Sequence, residues 1–190
     1  TRKGVRGMTL GDVAAALNLV PTGVIYYYKS KEELASACFL DGIAEFNRMS
    51  AAAEGASTAR EGLARFVRAY FDFRRREATG EAEAIAMFND VRGLNAPLVN
   101  GAYVDMYRGV RGVLAGPETR GLSRGEWNVR GYLLLSEAGW TSIWLQGLHP
   151  EAYARAGERM LSILSDGLGA PGVPWSLKPL PHLPPEPAGA

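Results

Sequence analysis

Apolar positions recur along most of this chain at the three- and four-residue spacing of helices, and most runs open on a residue suited to capping or to a first helical turn. Thr9 precedes Leu10, Val13, Ala14 and Leu17, which predicts a short amphipathic helix whose free amides the threonine hydroxyl can satisfy. A second short helix is predicted from Pro21, carrying Val24, Ile25 and Tyr28. Ser30 with Glu33 forms a capping-box pattern that opens a longer helix through Leu34, Cys38, Ile43 and Phe46 to about Ala53. Thr58 with Glu61 repeats the pattern before Leu63, Phe66, Val67, Tyr70 and Phe71. Further helices are predicted from Glu81 to about Leu94 and from Pro97 to Leu114. Ser123 with Glu126 heads the segment Trp127 to Leu148, where Leu133, Leu134, Leu135, Trp140, Trp144, Leu145 and Leu148 exceed a single stripe, so this helix needs neighbours on two sides. Pro150 starts a last helix to Leu168. No convincing alternating strand pattern is present, and the expected fold class is all-α.

Composition narrows the function. In 190 residues, 21 basic side chains against 20 acidic ones leave a net charge of +1, so any contact with nucleic acid must come from local geometry rather than from an overall cationic field. Cys38 alone excludes an intramolecular disulfide and a cysteine-built zinc site, and His149 and His182 are too isolated for a metal cage. A cytoplasmic protein with no metal and no cofactor is expected. No apolar stretch approaches the roughly 18 to 20 residues that cross a bilayer, so no membrane span is expected. Seven of the eleven prolines lie in residues 171–190, which rules out helix or central strand for that tail. No nucleophile-base-acid arrangement, phosphate loop, dinucleotide fingerprint or metal spacing points to an enzyme.

The stretch from Thr9 to Tyr28 has the internal logic of a helix-turn-helix. Val13 and Ala14 face the second helix, the small Ala14 permits close approach, Leu19 is expected to fill the space below the turn, and Val24 closes the pair. Asn18 stands where the turn needs a positive φ, which asparagine tolerates better than any residue but glycine. An ordinary helical hairpin shows part of this pattern, so periodicity alone leaves DNA recognition and a simple interaction module both open.

Thr9-Leu10-Gly11-Asp12-Val13-Ala14-Ala15-Ala16-Leu17-Asn18-Leu19, followed by Val24-Ile25-Tyr26-Tyr27-Tyr28-Lys29-Ser30-Lys31-Glu32-Glu33-Leu34, resembles the DNA-binding signature of the tetracycline-repressor (TetR) family of bacterial transcription regulators. The match runs without a gap from Met8 to Leu34. The resemblance implies a helix-turn-helix domain and start of a connecting helix over 1–48, a helical effector-binding and dimerisation domain over 49–170, and the proline-rich tail over 171–190. It further implies that Thr9 caps the scanning helix and touches a phosphate of double-stranded operator DNA. Thr22, Gly23 and Tyr26 then lie on the groove side of the recognition helix, Tyr27 bonds a phosphate, Lys31 meets the DNA backbone, and Tyr28 is core. Ile25 departs from a frequent tyrosine, and Val20-Pro21 from a small polar entry, which puts affinity and half-site preference in doubt. The family also carries a helix ahead of the hairpin, of which residues 1–7 are expected to supply only the end and the following loop, leaving the head without one wall of its core. Residues 1–34 hold Arg2, Lys3, Arg6, Lys29 and Lys31 against Asp12, Glu32 and Glu33, a weak charge excess for one head that a two-fold dimer doubles.

In the body, the resemblance implies a homodimer through the last two helices, where Gly131 and Gly139 would allow close approach, and a cavity for a small-molecule effector. The aromatic and apolar content favours an apolar or aromatic effector, with Tyr70, Phe88, Tyr103, Tyr107 and Trp144 as candidate ligand-binding residues. Arg74, Arg75 and Arg76 are expected to be a solvated group at a helix end, Cys38 inert filling, and His149 a turn residue. The function expected is a ligand-responsive regulator, usually a repressor released by its effector. The alternative is a helical small-molecule carrier or dimeric interaction protein with a weakened DNA head.

Overall fold

The computed structural model describes residues 4–85, 96–145 and 147–166. Eight α-helices occupy most of them: α1 (Gly4–Gly7), α2 (Leu10–Ala16), α3 (Pro21–Tyr27), α4 (Lys31–Ala51), α5 (Ala59–Ala78), α6 (Pro97–Gly112), α7 (Arg124–Trp144) and α8 (Tyr153–Asp166). Single 3-10 turns at Pro117–Thr119 and Pro150–Ala152 lead into α7 and α8, and there is no strand among the described residues. The all-α expectation therefore holds.

The helix starts are chemically explicit. Thr9 and Asp12 form a complete reciprocal cap, with the Asp12 amide donating to Thr9 Oγ1 at 3.0 Å and the Thr9 amide to Asp12 Oδ2 at 2.9 Å. Ser123 and Glu126 do the same for α7. At α4 and α5 the hydroxyls of Ser30 and Thr58 cap as expected, but the glutamates reach one residue further back: Glu33 accepts from the Lys29 amide at 2.7 Å, and Glu61 from the Ser57 amide at 2.8 Å.

One helical start, the one predicted at Glu81, differs from the sequence expectation. α5 stops at Ala78, Gly80 takes φ +77°, and the amides of Glu81 and Gly80 close back on the carbonyls of Arg76 and Glu77, a helix-terminating motif that needs the left-handed residue. Glu81–Ile85 are consequently not helical, and the rest of the expected helix, 86–94, lies outside the described residues, as does the tail 171–190.

In the body, α4 packs along α6, α5 along α8, and α6 against α7. Phe39, Ile43, Phe46 and Met49 of α4 meet Phe66, Val67, Tyr70 and Phe71 of α5, Met106 and Val110 of α6, and Leu134 and Ala138 of α7 in one buried cluster. Each such side chain contributes about 1.5 to 3 kcal/mol by leaving water. Two glycines set the spacing. A Cβ at Gly62 would collide with the Val113 carbonyl, and one at Gly157 would sit 3.0 Å from the Phe71 ring, so α5 approaches the end of α6 and the side of α8 more closely than any larger residue allows. Gly131 serves α6 and α7 in the same way, its Cβ position lying 3.1 Å from Arg111 Cβ, so its close contact is within the chain. Cys38 corrects the expectation of a buried filler: it lies at the edge of the buried stripe of α4 and is exposed, with partial desolvation and then Asp41 raising its thiol above the usual range.

Candidate nucleic-acid interface

The first three helices and the start of α4 build a small head. α2 packs against α3 through fully buried Ala14 and through Val24, the buried residue of α3. Between them Asn18 adopts φ 54°, the Leu19 amide bonds the Ala14 carbonyl at 2.8 Å, and the Asn18 amide bonds Ala15 at 3.2 Å. This left-handed closure is what turns α3 across α2, and it bears out the role read for Asn18. It also directs Leu19 outward: the side chain is 52% exposed rather than packed below the turn, and Leu17 and Val20 are exposed beside it. Tyr28, expected as core, is half-buried.

Because α3 buries only Val24, residues two positions away on either side, near 200° around the helix, point outward. Those are Thr22 and Tyr26, both exposed, with half-buried Gly23 between them. Tyr26 is 74% and Tyr27 73% exposed, and their rings meet edge to face at 5.1 Å. Four of the six residues singled out for DNA thus lie on one short helix. Thr9 is exposed at the start of α2, its hydroxyl donating to Asp12 Oδ2 at 2.8 Å. Lys31, half-buried at the start of α4, donates from Nζ to the carbonyl of Arg6 at 3.0 Å, closing the end of α1.

Lys29 was missed as a site residue. Its ammonium donates to the carbonyls of Ile25 and Tyr26 at 3.2 and 3.1 Å and lies 5.8 Å from the centre of the Tyr26 ring, so it satisfies the end of α3 and braces the exposed tyrosine. The signal available beforehand was its position two residues past the helix, where cations favour the carbonyl end.

The effector candidates do not converge on one cavity among the described residues. Tyr70 is buried, and its hydroxyl bonds the Ala138 carbonyl and Thr141 Oγ1, joining α5 to α7; burial raises its pKa against the pull of the Thr141 bond. Tyr107 donates to the Asn128 carbonyl at 2.8 Å and stacks on Tyr132 at 4.5 Å. Tyr103 is half-buried on α6. Trp144 is exposed, touches the Phe71 ring at 6.3 Å, and lines a groove between α7 and α8. Phe88 lies outside the described residues. The groove, of about 790 Å³, is walled by Leu133, Trp144, Met160, Ile163 and Leu164, with Glu137, Arg155 and Arg159 among its lining. A Cβ at Gly139 on the same helix would meet open space.

The arginine run departs from a uniformly solvated group. Arg74 is turned inward beside Glu77, with side chains 14% and 16% exposed, and desolvation raises the Glu77 carboxyl while Arg74 opposes it. Arg75 and Arg76 are half-exposed and pair with Asp72, Glu81 and Glu45. Among the described residues no helix is long and apolar enough to cross a membrane, and no group of three or more His, Cys, Asp or Glu is placed to hold a metal ion.

No family model and no curated protein sequence matches the chain. Solved structures do. The TetR-family transcriptional regulator PfmR from Thermus thermophilus superposes with a TM-score of 0.60 over 88% of this chain and 90% of its own, at 18% identity. A regulator of the TetR/AcrR family from Thermobifida fusca aligns over 87% of this chain and 90% of its own at 20% identity, with a TM-score of 0.48. The capped hairpin at one end, the long α4 leaving it and the helical body that follows are therefore one known arrangement, and this chain has the fold of the TetR-family transcriptional regulators.

Proposed function

We propose that this protein is a TetR-type regulator that binds operator DNA as a homodimer and is released from it by a small apolar or aromatic effector. The observation that carries the reading is the face of α3 opposite Val24: Thr22 and Tyr26 are exposed on the second element of a helix-turn-helix, where a packed hairpin has no use for a bare tyrosine. Thr22, Gly23 and Tyr26 enter the major groove. Thr9, Tyr27 and Lys31 meet phosphates and fix the register. Lys31 does both of its jobs from one place, since a cation tied to the α1 carbonyl end stays at the rim of the head.

Dimerisation runs through α7 and α8. Val129, Tyr132, Leu133, Trp140, Ile143, Trp144 and Ile163 are exposed there, a concentration of large apolar side chains that a second copy would cover. The groove carries Glu137 on α7 and Arg155 and Arg159 on α8, so its lining offers both signs of charge to a second copy. An effector would engage the body through some of Tyr70, Tyr103, Tyr107 and Trp144 rather than through a cavity that all of them share. An effector that favours one tilt of α4 by about 1 to 3 kcal/mol changes operator affinity about 5- to 150-fold.

The test is titration of the full chain against the DNA upstream of its own gene at several salt concentrations. Selective, salt-dependent retardation is expected; binding indifferent to both sequence and salt overturns the reading.

A further inference from the structure

The recognition helix lacks the side chains that identify guanine, adenine and cytosine. From Pro21 to Tyr27 it carries no Arg, Lys, Asn, Gln, Asp or Glu. Major-groove readout of guanine relies on bidentate Arg or Lys, of adenine on Asn or Gln, and of cytosine on a carboxylate, whereas thymine alone offers a methyl group to apolar contact. What α3 does present is the methyl and hydroxyl of Thr22, the branched chain of Ile25 at 44% exposure, and the ring of Tyr26 at 74%. The core has no use for Ile25 or Tyr26, because Val24 closes the hairpin by itself.

We infer that the half-site is read chiefly through thymine methyl groups, by Thr22, Ile25 and Tyr26; this rests on the DNA-binding reading above. Two further features point the same way. A Cβ built on Gly23 would have Val20 Cγ2, at 4.0 Å, as its nearest neighbour, so the glycine leaves a bare strip that lets the axis of α3 come close to the base edges. The ammonium of Lys29 is folded back on the carbonyls of Ile25 and Tyr26 and stands against the Tyr26 ring, so its hydrogen bonds are spent on α3 itself. Sequence preference then comes from shape and buried methyls, with positive charge confined to the rim.

The experiment uses the full chain in two steps. Duplexes are first selected from a random library, and the enriched half-site is then resynthesised with deoxyuridine in place of thymidine, position by position. That exchange keeps every pairing and hydrogen-bonding group and removes only a methyl. At the contacted positions about a fourfold loss of affinity per methyl is expected. Ile25→Ala and Tyr26→Ala should each shrink the loss at one position, whereas Tyr26→Phe should retain it. Equal binding of thymine and uracil half-sites, or a thymine preference untouched by every α3 variant including Thr22→Ser, overturns the inference while leaving operator binding intact. Failure to enrich any duplex overturns both.

Discussion

The ammonium of Lys31 and the main-chain oxygen of Arg6 are 3.0 Å apart, which ties the first residue of the connecting helix to the last turn of α1. Lys31→Ala removes this tie and one cation from the rim of the head. Affinity should fall roughly tenfold for specific and nonspecific duplexes alike, and the salt dependence should flatten by about one charge per protomer. Fluorescence anisotropy over a salt series reads both quantities. A variant that changes sequence preference instead would contradict the rim position given to Lys31.

The close pass of α5 beside the end of α6 depends on Gly62 having no side chain. Gly62→Ala must push the Val113 carbonyl away and should cost about 1 to 3 kcal/mol, as overpacked cores do. Gly101→Ala is the control: the site is exposed within α6 with open space around it, and there alanine should stabilise by about 0.5 to 1 kcal/mol. Denaturant titration of the two variants should move the midpoint in opposite directions.

Glu61 titrates at about 2, held there first by the Ser57 hydroxyl, then by the Ser57 amide and Arg65. Its ordinary value is 4.5, so the ionised form is favoured by folding. The resulting stabilisation is complete above the unfolded value and disappears as the pH drops toward the folded one. Glu61→Gln should lower stability in the neutral range, where the contribution is complete, and remove this share of the slope against pH in the acid window, so that variant and parent converge as the pH falls toward the folded value. Urea midpoints collected along an acid series test it, and a slope identical to that of the parent chain would show that the Ser57 contact contributes nothing.

Ile163 lies half-open in the groove between α7 and α8. Ile163→Glu sets a carboxylate into the surface assigned to the second copy, and sedimentation should report a monomer with unchanged helical circular dichroism. Operator affinity should then drop by about two orders of magnitude or more, because two linked heads lose their shared local concentration. A variant that remains dimeric removes α7 and α8 from the interface.

Helix starts were legible because capping is local: Thr9, Ser30, Thr58 and Ser123 lie within three residues of the amides they satisfy. Asn18 was legible for the same reason, since a left-handed residue constrains one position. Leu19 and Cys38 were misread because each lies at the margin of an apolar pattern, where spacing cannot say which side a neighbouring helix occupies. The helix predicted from Glu81 is absent over 81–85, where the amides of Glu81 and Ala82 turn back to the Arg76 carbonyl at the end of α5, a use that apolar spacing alone does not reveal. Gly62 against Val113 and Tyr70 against Thr141 join residues far apart in the chain, so nothing in their own neighbourhoods announces them. The face of α3 was legible from Val24 alone, but Lys29 needed the carbonyls of Ile25 and Tyr26 in place before its role was visible.

α4 runs unbroken from Lys31 to Ala51, with Phe46 gripped in the body and Lys31 at the head. At about 1.5 Å per residue those two points are roughly 22 Å apart, and Ala35, Phe39 and Ile43 lie buried between them, so a tilt of roughly five degrees about Phe46, which displaces Lys31 by roughly 2 Å, must also repack those side chains. The rod thus works as a lever without slack: any swing of its Lys31 end is written into the core as a change of packing, and any repacking of the core is carried out to that end.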